Sequence, residues 1–173
     1  MNLVRRMRFV ALLALMAIGL VATATAPVGA TTIYTDDQGR FAIGVPSGWV
    51  QQEPDSNKVV ALWTTDGGAA IFNIVHASVA YGTSSVDFAK AASSSLSDYT
   101  DYYLIRKDFI TCADQDCPLI DFTATDDNGE TQRIHQIYVT KGGDGWILTY
   151  RTRASDVEYY NSDVELMVYS FTI

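Results

Sequence analysis

Few side chains in this sequence have the chemistry to drive a reaction or hold a ligand, and each can be tested against the spacing that its chemistry demands. The two histidines, His76 and His135, are the acid–base and metal-ligating candidates. A hydrolase needs a nucleophile beside one of them, yet no G-x-S-x-G elbow occurs. The serines cluster instead at Ser84, Ser85 and Ser93 to Ser95, where helix capping and a polar helix face account for them. "DDNGE" suggests a calcium loop, but aligning Gly129 with the invariant glycine of an EF-hand puts Ala124 at the first liganding position and His135 at the last. A hairpin tip fits that stretch better. Cys112 and Cys117 enclose only "ADQD", and a tetrahedral metal site would need a second pair of soft ligands that the chain does not offer nearby. A four-residue hairpin loop would set the two Cβ atoms within bridging reach, so a Cys112–Cys117 disulfide is expected. No catalytic residue, cofactor site or metal site is expected.

The elements that must position these groups follow from hydrophobic period. From Thr32 to Tyr81 the chain reads as strands: "TIYTD", "RFAIGV", "KVVALWTT" and "AAIFNIVHASVA", with Asp66-Gly67-Gly68 as a hairpin turn. Between Tyr81 and Tyr99 the period becomes helical. Ser84 and Asp87 start the helix, Phe88, Ala92, Leu96 and Tyr99 line one face, and Lys90, Ser93, Ser94 and Asp98 the other. From Asp101 to Arg153 the period returns to two. Pairing across Asn128-Gly129 predicts Phe122 opposite His135, Ile120 opposite Ile137 and Ala124 opposite Arg133. Ser155-Asp156-Val157-Glu158 reads as a capping box opening a last helix, whose stripe of Val157, Tyr160, Val164, Met167, Val168 and Phe171 must be buried against the sheet.

The start of the chain carries an address. Arg5, Arg6 and Arg8 precede an uncharged run from Phe9 to Ala22, and small-residue sites follow at Ala24-Thr25-Ala26 and Val28-Gly29-Ala30. This is the pattern of a signal peptide over 1–30, cleaved after Ala30 or alternatively after Ala26. Residues 31–173 are then expected to form one domain, secreted or held in a bacterial cell envelope, with no stable membrane insertion after cleavage. Losing the three leader arginines takes the formal net charge from −8 to −11. Such acidity argues against nucleic acid as a partner.

The stretch "GRFAIGVPSGW" shows where strand pairing stops. Pro46 has no N–H to donate, Ser47-Gly48 lets the backbone turn, and Trp49 is expected to fold over the sheet's end and seal the core. Gly39, Phe41, Ile43, Pro46, Gly48 and Trp49, the helix start Asp87-Phe88-Ala89, "GWILTYRT" from Gly145 to Thr152 and "VYSFTI" from Val168 to Ile173 together resemble the PsbP-like superfamily. The resemblance spans nearly all of 31–173 and implies an α+β fold, an antiparallel β-sheet packed with helices as an α/β/α sandwich. It also implies an accessory or binding module without catalytic machinery. The expected function is an exported noncatalytic binding or assembly module for a protein or small apolar ligand, with a small secreted hydrolase as the alternative. With ten tyrosines in the chain, some face outward, and the expected binding surface comprises Trp49, Tyr99, Tyr102, Tyr103 and Tyr159.

Overall fold

The computed structural model describes residues 31–173; the expected signal peptide, with its two candidate cleavage sites, lies outside the described residues. Strands β1 (Thr31–Thr35) and β2 (Ala42–Pro46) form a small antiparallel sheet. At Pro46 the chain leaves it, turns at Ser47-Gly48 with Gly48 at φ +88°, and enters the main sheet at Trp49. The main sheet comprises β3 (Trp49–Gln51), β4 (Val59–Thr65), β5 (Ala70–Ser78), β6 (Tyr103–Cys112), β7 (Gln115–Thr125), β8 (Thr131–Lys141) and β9 (Asp144–Arg153). Its spatial order is β3-β4-β5-β9-β8-β7-β6, with every neighbouring pair antiparallel.

Helix α1 (Ser85–Ala92) covers one face. Ser84 Oγ accepts the N–H of Asp87 at 3.1 Å, the cap expected from the sequence. The chain then tightens into a 3-10 turn over Ser93–Asp98 that still delivers Leu96 to the core. Phe88, Ala89 and Leu96 pack on Ile120, Phe122, Ile134 and Tyr138, projecting from β7 and β8.

Helix α2 (Val157–Ser170) covers the opposite face together with β1 and β2. Val164, Met167, Val168 and Phe171 are all buried, against residues that include Trp63, Phe72 and Leu148 of the sheet. Burying one such side chain contributes roughly 1.5–3 kcal/mol. Gly44 lets β2 approach α2 closely: its N–H donates to Ser170 Oγ at 2.8 Å, and a Cβ there would lie 2.9 Å from the same oxygen. The chain thus has the α+β, helix–sheet–helix arrangement expected of it.

Two local readings change. No capping box forms at α2: Asp156 is the N-cap without a side-chain bond, and Ser155 Oγ donates instead to Asp156 Oδ1 at 2.7 Å. The β7–β8 register is also one residue away from expectation, with Asp121 opposite His135, Phe122 opposite Ile134, Ile120 opposite Gln136, Ala124 opposite Gln132 and Thr123 opposite Arg133. The cause is the turn. Asp126 and Glu130 close a loop of Asp127, Asn128 and Gly129, because Asp126 Oδ1 accepts the N–H groups of Asn128 and Glu130, both at 2.9 Å. Asn128-Gly129 alone would close a shorter loop, and one added residue reverses which face each side chain takes.

Candidate functional site

His76 stands on β5 between two charged partners. The Arg40 guanidinium is held by Asp36 (Nε to Oδ2 2.7 Å, Nη2 to Oδ1 2.8 Å) and sets Nη1 3.4 Å from His76 Nδ1. His76 Nε2 lies 2.7 Å from Asp144 Oδ1. Arginine can only donate, so Nδ1 accepts and Nε2–H donates to Asp144. Both ring nitrogens are thereby engaged in contacts within the protein. Hydrogen bonding from Arg40 holds the Asp36 carboxyl below the usual carboxylate range. The string Asp36–Arg40–His76–Asp144 ties the β1–β2 connection to the main sheet.

His135 belongs to a second ionic cluster that the sequence reading did not assemble. Asp121 of β7 is 0% exposed and receives both Nε and Nη2 of Arg133, the latter at 2.7 Å. Arg106 Nε lies 3.3 Å away and His135 Nε2 3.2 Å, the latter too misaligned for a hydrogen bond. Burial lowers the His135 pKa, and the Asp121 charge offsets only part of that, so the ring is neutral at pH 7. Arg133 is correspondingly held charged by its bond to Asp121. This is a buried carboxylate neutralised on several sides, a structural arrangement rather than a reactive one. Its one sequence signal was a lone aspartate inside the apolar run "PLIDFTA".

The disulfide is not formed. Ala113 and Asp114 adopt φ +50° and +58°, a two-residue turn that pairs Cys112 with Gln115 and Ile110 with Cys117. The cysteines are therefore diagonal neighbours, not opposite partners, and stand 4.1 Å apart as free buried thiols. Cys117 Sγ lies 3.2 Å from the Cys112 carbonyl oxygen. Hydrogen bonding with Cys117, then burial, raises the Cys112 pKa, so it is no reactive thiolate.

The expected aromatic surface separates into three places. Trp49 is only 7% exposed, donates Nε1–H to Asp163 Oδ2 at 2.9 Å and meets the Tyr160 ring edge-on, which makes it a core residue sealing the sheet's end. Tyr159, 81% exposed, lies beside Tyr160 at the rim of a shallow hollow of about 220 Å³ that also touches Trp49. Tyr99 and Tyr102 both pack on Phe122, with ring centroids at 5.8 and 5.2 Å, while Tyr103 starts β6 facing solvent.

A larger concavity than this hollow lies elsewhere, and sequence reasoning missed it. Helix α1 has eight residues and sits over β7 and β8, too short to reach across β6 at the sheet's margin. An open groove of about 470 Å³ remains, floored by Ala89, Phe109, Pro118 and Ile120 and flanked by Val86, Lys90 and Lys107. Phe109 is 57% exposed and Val86 51%. The sequence did carry one signal of this margin: Arg106-Lys107-Asp108 in mid-strand is a charged run of the kind edge strands carry. Among the described residues no group of three or more His, Cys, Asp or Glu is placed to hold a metal ion.

No family model and no curated protein matches this chain. Solved structures do match. LpqN of Mycobacterium tuberculosis, a protein involved in cell envelope biogenesis, aligns at TM-score 0.61 and 11% identity, covering 83% of this chain and 84% of that one. The cyanobacterial PsbP of Synechocystis sp. PCC 6803 aligns at 0.59 and 13%, over 89% and 98%. The Saccharomyces cerevisiae Ran-binding protein Mog1p aligns at 0.59 and 9%, over 84% and 96%. At these identities the likeness is one of fold, and the chain has the PsbP-like fold.

Proposed function

We propose that residues 31–173 form one exported, noncatalytic binding or assembly module whose partner is a protein seated in the groove between α1 and β6. The observation that carries this reading is the groove itself: half-exposed Phe109 and Val86 beside Ala89, Pro118 and Ile120, at the margin of the sheet next to β6. Contiguous apolar surface of this kind marks interaction sites. The leader pattern supports export to the cell envelope or medium. Among the described residues no helix is long and apolar enough to cross a membrane. The name of LpqN, involved in cell envelope biogenesis, and that of Mog1p, a Ran-binding protein, accord with a fold used for accessory and binding roles. The hydrolase alternative loses ground because His76 has both nitrogens engaged and His135 faces the Asp121 cluster.

The test is a photo-crosslinking residue at Val86, with Asp55 as a distant control, in the mature protein acting in its own envelope fraction. Position 86 should give one saturable protein adduct that Phe109→Asp reduces about tenfold, as loss of a central interface anchor does. An adduct equal at both positions, or indifferent to Phe109→Asp, overturns the reading. A lipid adduct in place of protein transfers the groove to a small apolar ligand, and turnover of an ester, peptide or glycan refutes the noncatalytic assignment.

A further inference from the structure

The sheet's two margins are built differently. At one, β3 is three residues long. At the other, β6 is ten residues long, and no strand of the described residues lies beyond it. Proteins guard such margins, because unpaired N–H and C=O groups template pairing with another chain. On β6 the guards are a bulge at Ile105, between the pairs of Leu104 and Arg106, and the charged triplet Arg106-Lys107-Asp108. Asp108 Oδ1 accepts the Phe109 N–H at 2.9 Å. That N–H therefore points away from β7, in keeping with Pro118 standing opposite Phe109. Backbone groups alternate in direction along a strand, so Lys107, Phe109 and Thr111 all turn theirs to the open margin. The same alternation sends the Lys107 and Phe109 side chains into the groove. Open backbone and groove are thus presented by the same residues.

Charge narrows the occupant. The chain is acidic, with net charge −8, yet Lys90 and Lys107 line the groove and Asp108 is its only carboxylate. Asp108 is also 3.6 Å from Arg106.

We infer that the partner presents an extended peptide segment that joins the sheet as an eighth strand against Lys107–Thr111, placing apolar side chains over Phe109 and an acidic side chain against Lys107 and Lys90. The inference rests on the groove reading above. Asp108 acts as a displaceable guard, since its carboxylate occupies the N–H that the incoming strand needs. Main-chain bonds supply affinity in this mode, and alternate side chains supply specificity.

The probe is a fluorescein-labelled heptapeptide with valine at its second and fourth positions, glutamate at its sixth and threonine elsewhere. Laid antiparallel, these three positions fall opposite Thr111, Phe109 and Lys107. Fluorescence anisotropy should show saturable binding that Asp108→Ala tightens about threefold and Thr111→Pro weakens about tenfold, because proline removes an outward N–H while sparing the β7 ladder. N-methylation of the valine and glutamate amides should abolish binding, and N-methylation of the intervening threonine amides should leave it within about twofold, as only one set faces β6. Hydrogen exchange at Lys107, Phe109 and Thr111 should slow with the unmodified peptide. The methylated peptides act on unaltered protein, so the result stands even if Thr111→Pro does not fold. Equal binding of both methylated forms overturns strand addition, and if Phe109→Asp still abolishes that binding the groove reading survives. No peptide binding to wild type or Asp108→Ala overturns the inference, and the Val86 adduct then decides whether the groove reading falls with it. Dimerisation through β6 at micromolar concentration overturns it in favour of a second copy of the chain.

Discussion

Replacing Asp121 with asparagine keeps the side chain's shape and removes its charge. The carboxylate has no solvent exposure and stands among Arg133, Arg106 and His135. In Asp121→Asn an amide NH₂ would face guanidinium donors, leaving N–H groups aimed at one another where two ionic hydrogen bonds had been. Breaking a buried pair by removing one partner costs about 3–5 kcal/mol. The lower end applies, because Arg133 and Arg106 retain 26% and 55% side-chain exposure and can recover hydration. With a urea slope of about 2 kcal/mol/M, a loss of about 3 kcal/mol moves the unfolding midpoint down by about 1.5 M. Equilibrium unfolding followed by tryptophan fluorescence measures it. A second readout is independent of stability. Burial lowers the His135 pKa and Asp121 raises it in part, so Asp121→Asn should lower it further, visible as an NMR titration of the ring protons moved to more acid pH. A midpoint shift below about 0.3 M, or a His135 titration that stays put, would refute the account of this cluster.

Four further outcomes follow from the same physics. The His135 pKa lies below its ordinary value of 6.5, so the unfolded chain binds the extra proton first; this part of stability is fully present above about pH 6.5 and is lost as pH falls through the folded-state value. Urea midpoints measured from pH 7 to pH 5 should show that slope, and His135→Gln should flatten it. Met167→Ala, at a fully buried position on α2, should cost about 3 kcal/mol in the same assay, and a cost near zero would mean that α2 does not roof the sheet. Gly145→Ala places a Cβ 2.9 Å from Phe88 Cζ and 3.1 Å from Val79 Cγ1, and should cost about 2 kcal/mol by pushing α1 off the sheet. Ellman's reagent should find two thiols per chain after unfolding and almost none before, since Cys112 and Cys117 are both buried and unbonded; absence of thiols in the unfolded protein would restore the disulfide.

The fold was legible because its signals are periodic and redundant. The apolar, β-branched-rich run from Ala70 to Ser78 and the alternation from Trp146 to Arg153 mark strands whatever they pair with. The α2 stripe requires a sheet beneath it even though its capping box does not form. Packing overrides the missing cap, since four buried apolar side chains outweigh one hydrogen bond worth about 1 kcal/mol. The cluster and the groove were less legible, for two different reasons. Which strand is outermost is a property of topology, and nothing local distinguishes β6 from its neighbours except its charged triplet.

Face assignment depends on the parity of a turn, which is harder to read than its presence. At Cys112 the expected loop of four residues is a loop of two, so pairing slides by two positions and every side chain keeps its face. That error cost a disulfide but moved no residue between layers. At Asn128-Gly129 the loop gained one residue through the Asp126 side chain, so pairing slid by one. That exchanged Phe122 for Asp121 as the neighbour of His135 and sent the two to opposite faces. A histidine expected beside Phe122 therefore stands among Asp121, Arg133 and Arg106, with the buried Tyr150 ring edge-on to it at 5.6 Å. Whether a histidine reads as core or as part of an ionic cluster can thus turn on a single aspartate in a surface turn. Asp126→Ala, which removes both side-chain bonds that hold the longer loop, probes that dependence directly.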